Sequence, residues 1–204
     1  PVSRPAPANE PVLPSADPEP LAVEGLSHAA PFLALPIEGR GDAVVSVPLG
    51  SIGPKPVVVA THGAGGSPEI HCQFWRDIFE DRAFILCPRG VRLDARAPAY
   101  FYDGHFELAR EVEASLDALA IRFKGSVDPA KAVYLGYSQG ATMGALMLPL
   151  LRGRFARAAL IEGGFDEWNL RAARIFREQG GERVLFVCGR PVCAKGARLS
   201  ARYL

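Results

Sequence analysis

The chain has 204 residues, of which 49% are hydrophobic, and this length and composition predict one substantial core rather than two domains. Its 23 lysines and arginines nearly balance 22 aspartates and glutamates, so the formal net charge of +1 supplies no strong field for nucleic acid or an anionic membrane surface. Proline, glycine or charge interrupts every apolar stretch before the roughly 18 residues that a membrane span needs. We therefore expect a small or neutral substrate as the partner.

The chain begins with a proline-rich segment. Residues 1–24 are dominated by proline, alanine, serine and acidic residues, which leave little to bury, so they predict an extended tail ahead of a domain at residues 25–204. Because the first residue is Pro1 and not methionine, we expect that a leader was removed or that the chain was trimmed. A secretory leader would make the protein secreted or periplasmic.

Apolar runs bounded by turn residues predict the strands of the domain. The predicted strands are Phe32–Ile37, Ala43–Leu49, Pro56–Thr61, Ala83–Cys87, Ala132–Gly136, Ala158–Glu162 and Arg183–Cys188. The later runs are short and apolar throughout, which is typical of a sheet covered on both faces.

Segments with apolar residues three or four positions apart lie between these strands and predict helices. The clearest is Phe106–Phe123, whose apolar face should pack on the sheet while Glu111, Glu113 and Asp117 face away. The other predicted helices are Glu69–Asp81, Gln139–Leu151, Trp168–Gln179 and Pro191–Tyr203. A leading pair of strands followed by strand–helix alternation predicts a mostly parallel α/β sheet with an antiparallel start.

Four cysteines, Cys72, Cys87, Cys188 and Cys193, lack the spacing of a zinc site, which leaves disulfides or buried thiols. Four cysteines allow three pairings. We favour Cys72–Cys87 with Cys188–Cys193, because each pair would close a short loop beside a strand end.

The strongest chemical signal is a Gly-x-Ser-x-Gly sequence, Gly136-Tyr137-Ser138-Gln139-Gly140, between an apolar strand and an apolar helix. A serine on such a tight turn needs small neighbours, because the backbone doubles back too closely for side chains at the two glycines. The turn would lift the Ser138 hydroxyl above the sheet, beside the N–H groups that open the next helix. This context predicts a nucleophile; the alternative is an ordinary glycine-rich turn.

A second motif, His62-Gly63-Ala64-Gly65-Gly66, follows the buried strand that ends at Thr61. Such a flexible loop can aim a backbone N–H at a developing oxyanion. We assign that donor to Ala64 and the second donor to the N–H of Gln139. His62 itself is expected to anchor the loop through its ring nitrogens.

These two motifs resemble those of the α/β-hydrolase superfamily, and most closely its phospholipase/carboxylesterase and dienelactone-hydrolase-like branches. The resemblance covers about residues 32 to 204. It implies a three-layer α/β-hydrolase fold and acyl transfer through Ser138, in which an acyl-enzyme forms on an ester or related carbonyl and water releases it. A carboxylesterase-like activity is expected, with peptidase activity as a variant, and no cofactor.

The sequence departs from that family after the serine. Its members place an acid after a late strand and a histidine after the last one, yet no histidine follows Ser138. The loop after Arg183–Cys188 offers no carboxylate, so the candidate acids lie one strand earlier, at Glu162 and Asp166. We therefore expect the last strand and helix of the fold to be missing from this chain.

Three explanations for the absent base stay open. The catalytic histidine lies on a companion C-terminal polypeptide of the same precursor, which is the explanation we favour; His71 or His105 serves instead; or the fold is catalytically inactive and acts as a binding module. A fluorophosphonate probe would separate an enzyme from a binder.

On the face of the sheet that carries Ser138, the candidates for the substrate pocket are His71, Trp75, Tyr102 and His105. The sequence contains no metal cluster, phosphate loop or dinucleotide motif.

Overall fold

A seven-stranded sheet forms the centre of the computed structural model, which describes Leu26 and residues 30–50, 53–128, 130 and 132–203. The tail predicted at residues 1–24 lies outside the described residues. The strands are β1 (Phe32–Leu35), β2 (Ala43–Ser46), β3 (Val57–Thr61), β4 (Phe84–Cys87), β5 (Val91–Asp94), β6 (Ala99–Phe101), β7 (Ala132–Tyr137), β8 (Phe155–Ile161) and β9 (Arg183–Val187). The helices are α1 (Pro68–Phe79), α2 (His105–Arg122), α3 (Gln139–Met147), α4 (Leu170–Glu178) and α5 (Pro191–Ser200), followed by a 3-10 turn at Ala201–Tyr203.

The order of strands across the sheet is β1-β2-β4-β3-β7-β8-β9. The first two strand pairs are antiparallel and the other four are parallel. This confirms the predicted sheet, which is mostly parallel with an antiparallel start. Strand β9 lies at one edge of the sheet, where the side chains of Leu185 and Val187 are exposed.

Helices cover the sheet on both faces, which gives the three layers of an α/β fold. Every residue of β3 is buried, as a strand between two layers requires. Val57 and Val59 pack with α2 and α3 on one side, whereas Val58 and Ala60 pack with Cys72 of α1 on the other.

A small antiparallel hairpin formed by β5 and β6 occupies a segment in which we predicted no strand. All four residues of β5 are exposed, so its sequence carries no alternation of buried and exposed positions. The hairpin attaches to the loop after β3 instead, because Gly65 donates to the Tyr100 carbonyl and Tyr100 donates to that of Gly66, both at 2.8 Å. Backbone contacts with a loop far away in sequence therefore hold this hairpin in place.

The prediction for one face of α2 was wrong at Glu111. Glu113 and Asp117 are exposed as expected, but Glu111 is buried. Its carboxylate accepts hydrogen bonds from the backbone N–H groups of Arg89, at 2.7 Å, and Gly90, at 3.0 Å. The loop after β4 crosses α2 here, and the carboxylate supplies an acceptor to two part-buried backbone donors.

Two disulfides join the cysteines as predicted. Cys72–Cys87 ties α1 to β4 with Cα atoms 5.9 Å apart, and Cys188–Cys193 closes the loop between β9 and α5 with Cα atoms 5.5 Å apart. Among the described residues, the helices are all too short or too polar to cross a bilayer.

Candidate active site

Ser138 lies on a sharp turn between β7 and α3. Its backbone angles, φ 51° and ψ −112°, fall in a region that residues with a side chain rarely adopt. Two hydrogen bonds hold it there: Ser138 N–H donates to the Ile161 carbonyl at 2.8 Å, and the Ser138 carbonyl accepts from Thr142 N–H at 3.0 Å. Strained backbone of this kind persists only where the surroundings over-determine it, and it is concentrated at functional sites.

The two glycines that flank this turn are sites of close backbone approach. A methyl group at Gly136 would lie 2.7 Å from the Gly140 carbonyl oxygen, and one at Gly140 would lie 2.5 Å from the Thr61 carbonyl oxygen. Both distances are below any ordinary carbon–oxygen contact. The glycines of the motif are therefore required by packing, as the sequence predicted.

A buried hydroxyl pair braces the turn from beneath. The Tyr134 hydroxyl donates to the Gly140 carbonyl at 2.7 Å and lies 2.6 Å from the Thr61 hydroxyl. Burial raises the pKa of Tyr134 well above its usual value, so the phenol stays neutral and keeps its proton for this bond. Sequence reasoning missed Tyr134, because in sequence it is only one more apolar position of a buried strand.

The loop after β3 lies directly against the serine. A methyl group at Gly63 would be 3.2 Å from Ser138 Cβ, and Gly140 N–H donates to the His62 carbonyl at 3.1 Å. The ring nitrogens of buried His62 lie 2.8 Å from the Gly63 carbonyl oxygen and 3.0 Å from that of Arg89. His62 therefore anchors the loop, and both of its ring nitrogens are engaged.

Of the two predicted oxyanion donors, Gln139 directly follows Ser138, and Ala64 directly follows Gly63, the loop residue that lies against Ser138. Within residues 53–128 and 132–203, no backbone acceptor pairs with either N–H group. Gln139 also has a role that the sequence did not reveal. Its side-chain amide accepts from Tyr102 N–H at 3.0 Å and donates to the Tyr102 carbonyl at 3.1 Å, which fixes the first residue of α3.

Tyr102 is buried beneath this site and does not line it. Its ring stacks on His62 with centroids 4.7 Å apart, and its hydroxyl donates to the Pro88 carbonyl. Tyr102 thus joins three loops, although the sequence suggested it as a pocket residue. His105 is the first residue of α2, where its ring packs against Phe106, and it lines neither the groove at Gly63 nor the cavity at Glu162.

The other two pocket candidates lie on α1. His71 lines an open groove beside the loop of Gly63, and its Nε2 accepts the indole N–H of Trp75 at 3.1 Å. Burial, and to a lesser extent the neighbouring His62, lower the pKa of His71 to about 4. Trp75 packs inward against Phe79 and the core under α1. His71 is therefore neutral at pH 7, and the nitrogen facing Trp75 is occupied.

Both candidate acids follow β8 and line one cavity of about 410 Å³, together with Thr142 and Gly163. Glu162 continues directly from Ile161, the residue that accepts the Ser138 N–H bond. Its carboxylate accepts from Gly189 N–H and from Arg190 Nε, the latter at 2.8 Å. These bonds lower the pKa of Glu162 and keep it ionised. Asp166 is exposed at the rim of the same cavity.

Among the described residues, no three His, Cys, Asp or Glu side chains are grouped closely enough to hold a metal ion.

Comparison of the sequence with protein-family models and with curated proteins finds no match. Solved structures are similar in fold. A carboxylesterase of Bacillus cereus superposes with a TM-score of 0.53 at 18% identity, over 81% of this chain and 94% of that one. Est1E of Butyrivibrio proteoclasticus gives a TM-score of 0.51 at 11% identity, over 85% and 99%.

Dipeptidyl peptidase 4 of Porphyromonas gingivalis gives a TM-score of 0.53 at 12% identity, over 83% of this chain and 29% of that one. The strand order, the helices on both faces of the sheet and these neighbours together show that the chain has the three-layer α/β-hydrolase fold.

Proposed function

We propose that this protein is a serine hydrolase that cleaves an ester or related acyl bond through an acyl-enzyme on Ser138. The observation that carries the proposal is the strained turn, which holds a serine against a loop in which the Ala64 N–H has no backbone acceptor among residues 53–128 and 132–203. Esterase and peptidase neighbours of the same fold agree with it.

In the proposed reaction, Ser138 Oγ attacks the substrate carbonyl carbon while a general base takes its proton. The N–H groups of Ala64 and Gln139 stabilise the negative charge that develops on the carbonyl oxygen. Collapse of the tetrahedral intermediate breaks the bond to the alcohol, which leaves with that proton. Water then attacks the acyl-enzyme in the same way, which releases the carboxylic acid and restores the serine.

We assign the acid of the triad to Glu162 in preference to Asp166. Glu162 is one residue from the strand end that binds the Ser138 backbone, and two donors hold its carboxylate ionised. An ionised, fixed carboxylate is what orients a histidine and stabilises its charged form. Asp166 is exposed and lies four residues further along the chain.

The general base in this proposal is a histidine on a companion C-terminal polypeptide of the same precursor. Of the three histidines among the described residues, His62 and His71 use ring nitrogens in structural hydrogen bonds, and His105 packs on Phe106. Strand β9, next to Glu162, is the last strand in the sheet order, and the outer N–H and C=O groups of such an edge strand can pair with a further strand.

We also propose a secreted or periplasmic location. Two disulfides in one chain are typical of oxidising compartments, because cytosolic thiols are kept reduced. The partner is then a small-molecule acyl substrate, and no role with nucleic acid is proposed.

A fluorophosphonate probe tests this function, with modification located by mass spectrometry. We expect Ser138 to be labelled and the Ser138→Gly variant to stay unlabelled. Free imidazole should accelerate labelling by about ten-fold, since it supplies the missing base.

The companion polypeptide has its own test, the intact mass of the protein purified from its native source. We expect a second polypeptide in the mass spectrum, and we compare spectra recorded under reducing and non-reducing conditions.

The outcomes separate the alternatives. Slower labelling in His71→Gln or His105→Ala would place the base within this chain and contradict the companion polypeptide. Failure of Ser138 to react, with imidazole and with the companion present, would favour a non-catalytic binding module.

A further inference from the structure

An open apolar groove leads away from the candidate nucleophile on the side of β3. It has a volume of about 400 Å³ and runs from the loop of Gly63 to α1. A methyl group at Gly63 would lie 3.2 Å from both Ser138 Cβ and the Tyr137 ring, so the floor of the groove adjoins the serine. The volume falls within the range of small-molecule sites.

Three large apolar side chains line this groove and are exposed to solvent. Ile70 is 74% exposed, Phe74 is 56% exposed and Tyr137 is 45% exposed. Ile70 and Phe74 are four residues apart on α1, so they stand on the same face of the helix. Exposed apolar side chains gathered beside a candidate active site are typical of a surface that binds a ligand.

The groove carries no formal charge from acidic side chains, lysine or arginine among the described residues. Its two histidines are His71, which is neutral at pH 7, and His62, which is buried, so the His62 ring contributes little to the open surface of the groove. The cavity on the opposite side of Ser138 differs, because Glu162, Asp166 and Arg190 line it. The groove therefore favours an uncharged part of the substrate, whereas the cavity favours a polar or charged part.

The length of the groove sets the size of its occupant. One helical turn separates Ile70 from Phe74, about 6 Å along the axis. An extended hydrocarbon chain advances about 1.3 Å per carbon, so about five carbons span the interval between the two side chains.

We propose that this groove binds the acyl chain of the substrate, and that the protein prefers esters of uncharged acyl chains that reach both Ile70 and Phe74, which requires at least about five carbons. The inference rests on the proposed function, since it takes Ser138 as the point from which the chain extends. Ile70 and Phe74 are then the residues that determine acyl specificity.

Equilibrium binding to the Ser138→Gly variant tests the groove without requiring any reaction. The ligands are the butyrate and octanoate esters of 4-methylumbelliferone, which share one leaving group and differ only in the acyl chain. We expect the octanoate to bind about ten-fold more tightly than the butyrate in a fluorescence titration.

Substitutions on the exposed face of α1 localise the effect. Added to Ser138→Gly, Phe74→Ser should weaken octanoate binding by about ten-fold and leave butyrate within about two-fold. Ile78→Ser is the matched control, because Ile78 is exposed on the same helix but lies outside the groove. An octanedioate monoester, which carries a terminal carboxylate, should bind about ten-fold more weakly than octanoate.

Equal affinity for butyrate and octanoate, or equal losses in Phe74→Ser and Ile78→Ser, would overturn the groove assignment. Circular dichroism of each variant separates loss of binding from loss of folding. The proposed function is judged separately by fluorophosphonate labelling of the unmodified chain, so the two failures are distinguishable.

Discussion

The backbone of Ser138 makes an unusual prediction about stability. At φ 51° and ψ −112°, a Cβ atom costs about 1–3 kcal/mol that glycine does not pay. Glycine loses about 0.4–1 kcal/mol more backbone entropy on folding than alanine does. The difference predicts that Ser138→Gly is more stable than Ser138→Ala by about 1–2 kcal/mol.

Urea denaturation, followed by tryptophan fluorescence without reductant, measures this difference. For a chain of this length, about 1–2 kcal/mol corresponds to a difference in Tm of about 2–8 °C. Both variants lack the serine hydroxyl, so its lost contacts affect the two free energies of unfolding equally. The difference between the variants then reports the backbone strain at position 138.

Two other positions calibrate the comparison. Glu80 ends α1 with nearly the same backbone angles, φ 52° and ψ −128°, and is exposed. Glu80→Gly should therefore also be more stable than Glu80→Ala. Gln73 lies inside α1, where the order should reverse and alanine should be favoured by about 1 kcal/mol. A Ser138→Ala protein as stable as Ser138→Gly would refute the strain that we ascribe to this turn.

Replacing His71 with glutamine should flatten the fall in stability between pH 6.5 and pH 4. The folded pKa of about 4 lies below the ordinary 6.5, so the unfolded chain binds more protons there and the wild-type protein loses up to about 3 kcal/mol. Urea titrations across this range would contradict the reasoning if both proteins gave the same slope. Glu111→Gln should lower the free energy of unfolding by about 2 kcal/mol, whereas exposed Glu113→Gln should change it by less than about 0.5 kcal/mol. Gly140→Ala should cost more than about 2 kcal/mol in the same assay, because its methyl group would lie 2.5 Å from the Thr61 carbonyl oxygen; a stable variant would show that the turn can relax.

Local pattern was sufficient for the seven strands of the central sheet and for the turn at Ser138. Buried strands such as β3 consist of consecutive apolar residues, and the glycines at 136 and 140 are required by contacts that any chain turning there must make. The cysteine pairs were predictable for a similar reason, because each closes a short loop.

The remaining features depend on residues far apart in sequence. Glu111 reads as a polar position on a helix, and only the passage of the Arg89–Gly90 backbone over it makes it a buried acceptor. The clamp between Gln139 and Tyr102 spans 37 positions. No periodicity within α2 or α3 reports such contacts, so a single sequence could not have revealed them.

The ring closed by Cys188 and Cys193 bears on the chemistry of the candidate acid. It contains Gly189 and Arg190, the two residues that grip Glu162, and it spans only five positions. A ring this small adds only about 2 kcal/mol to folding in the chain-entropy description. Reduction would therefore remove the covalent constraint on Gly189 and Arg190 while the sheet stays folded, which links the alignment of Glu162 to the oxidising power of the medium around the protein.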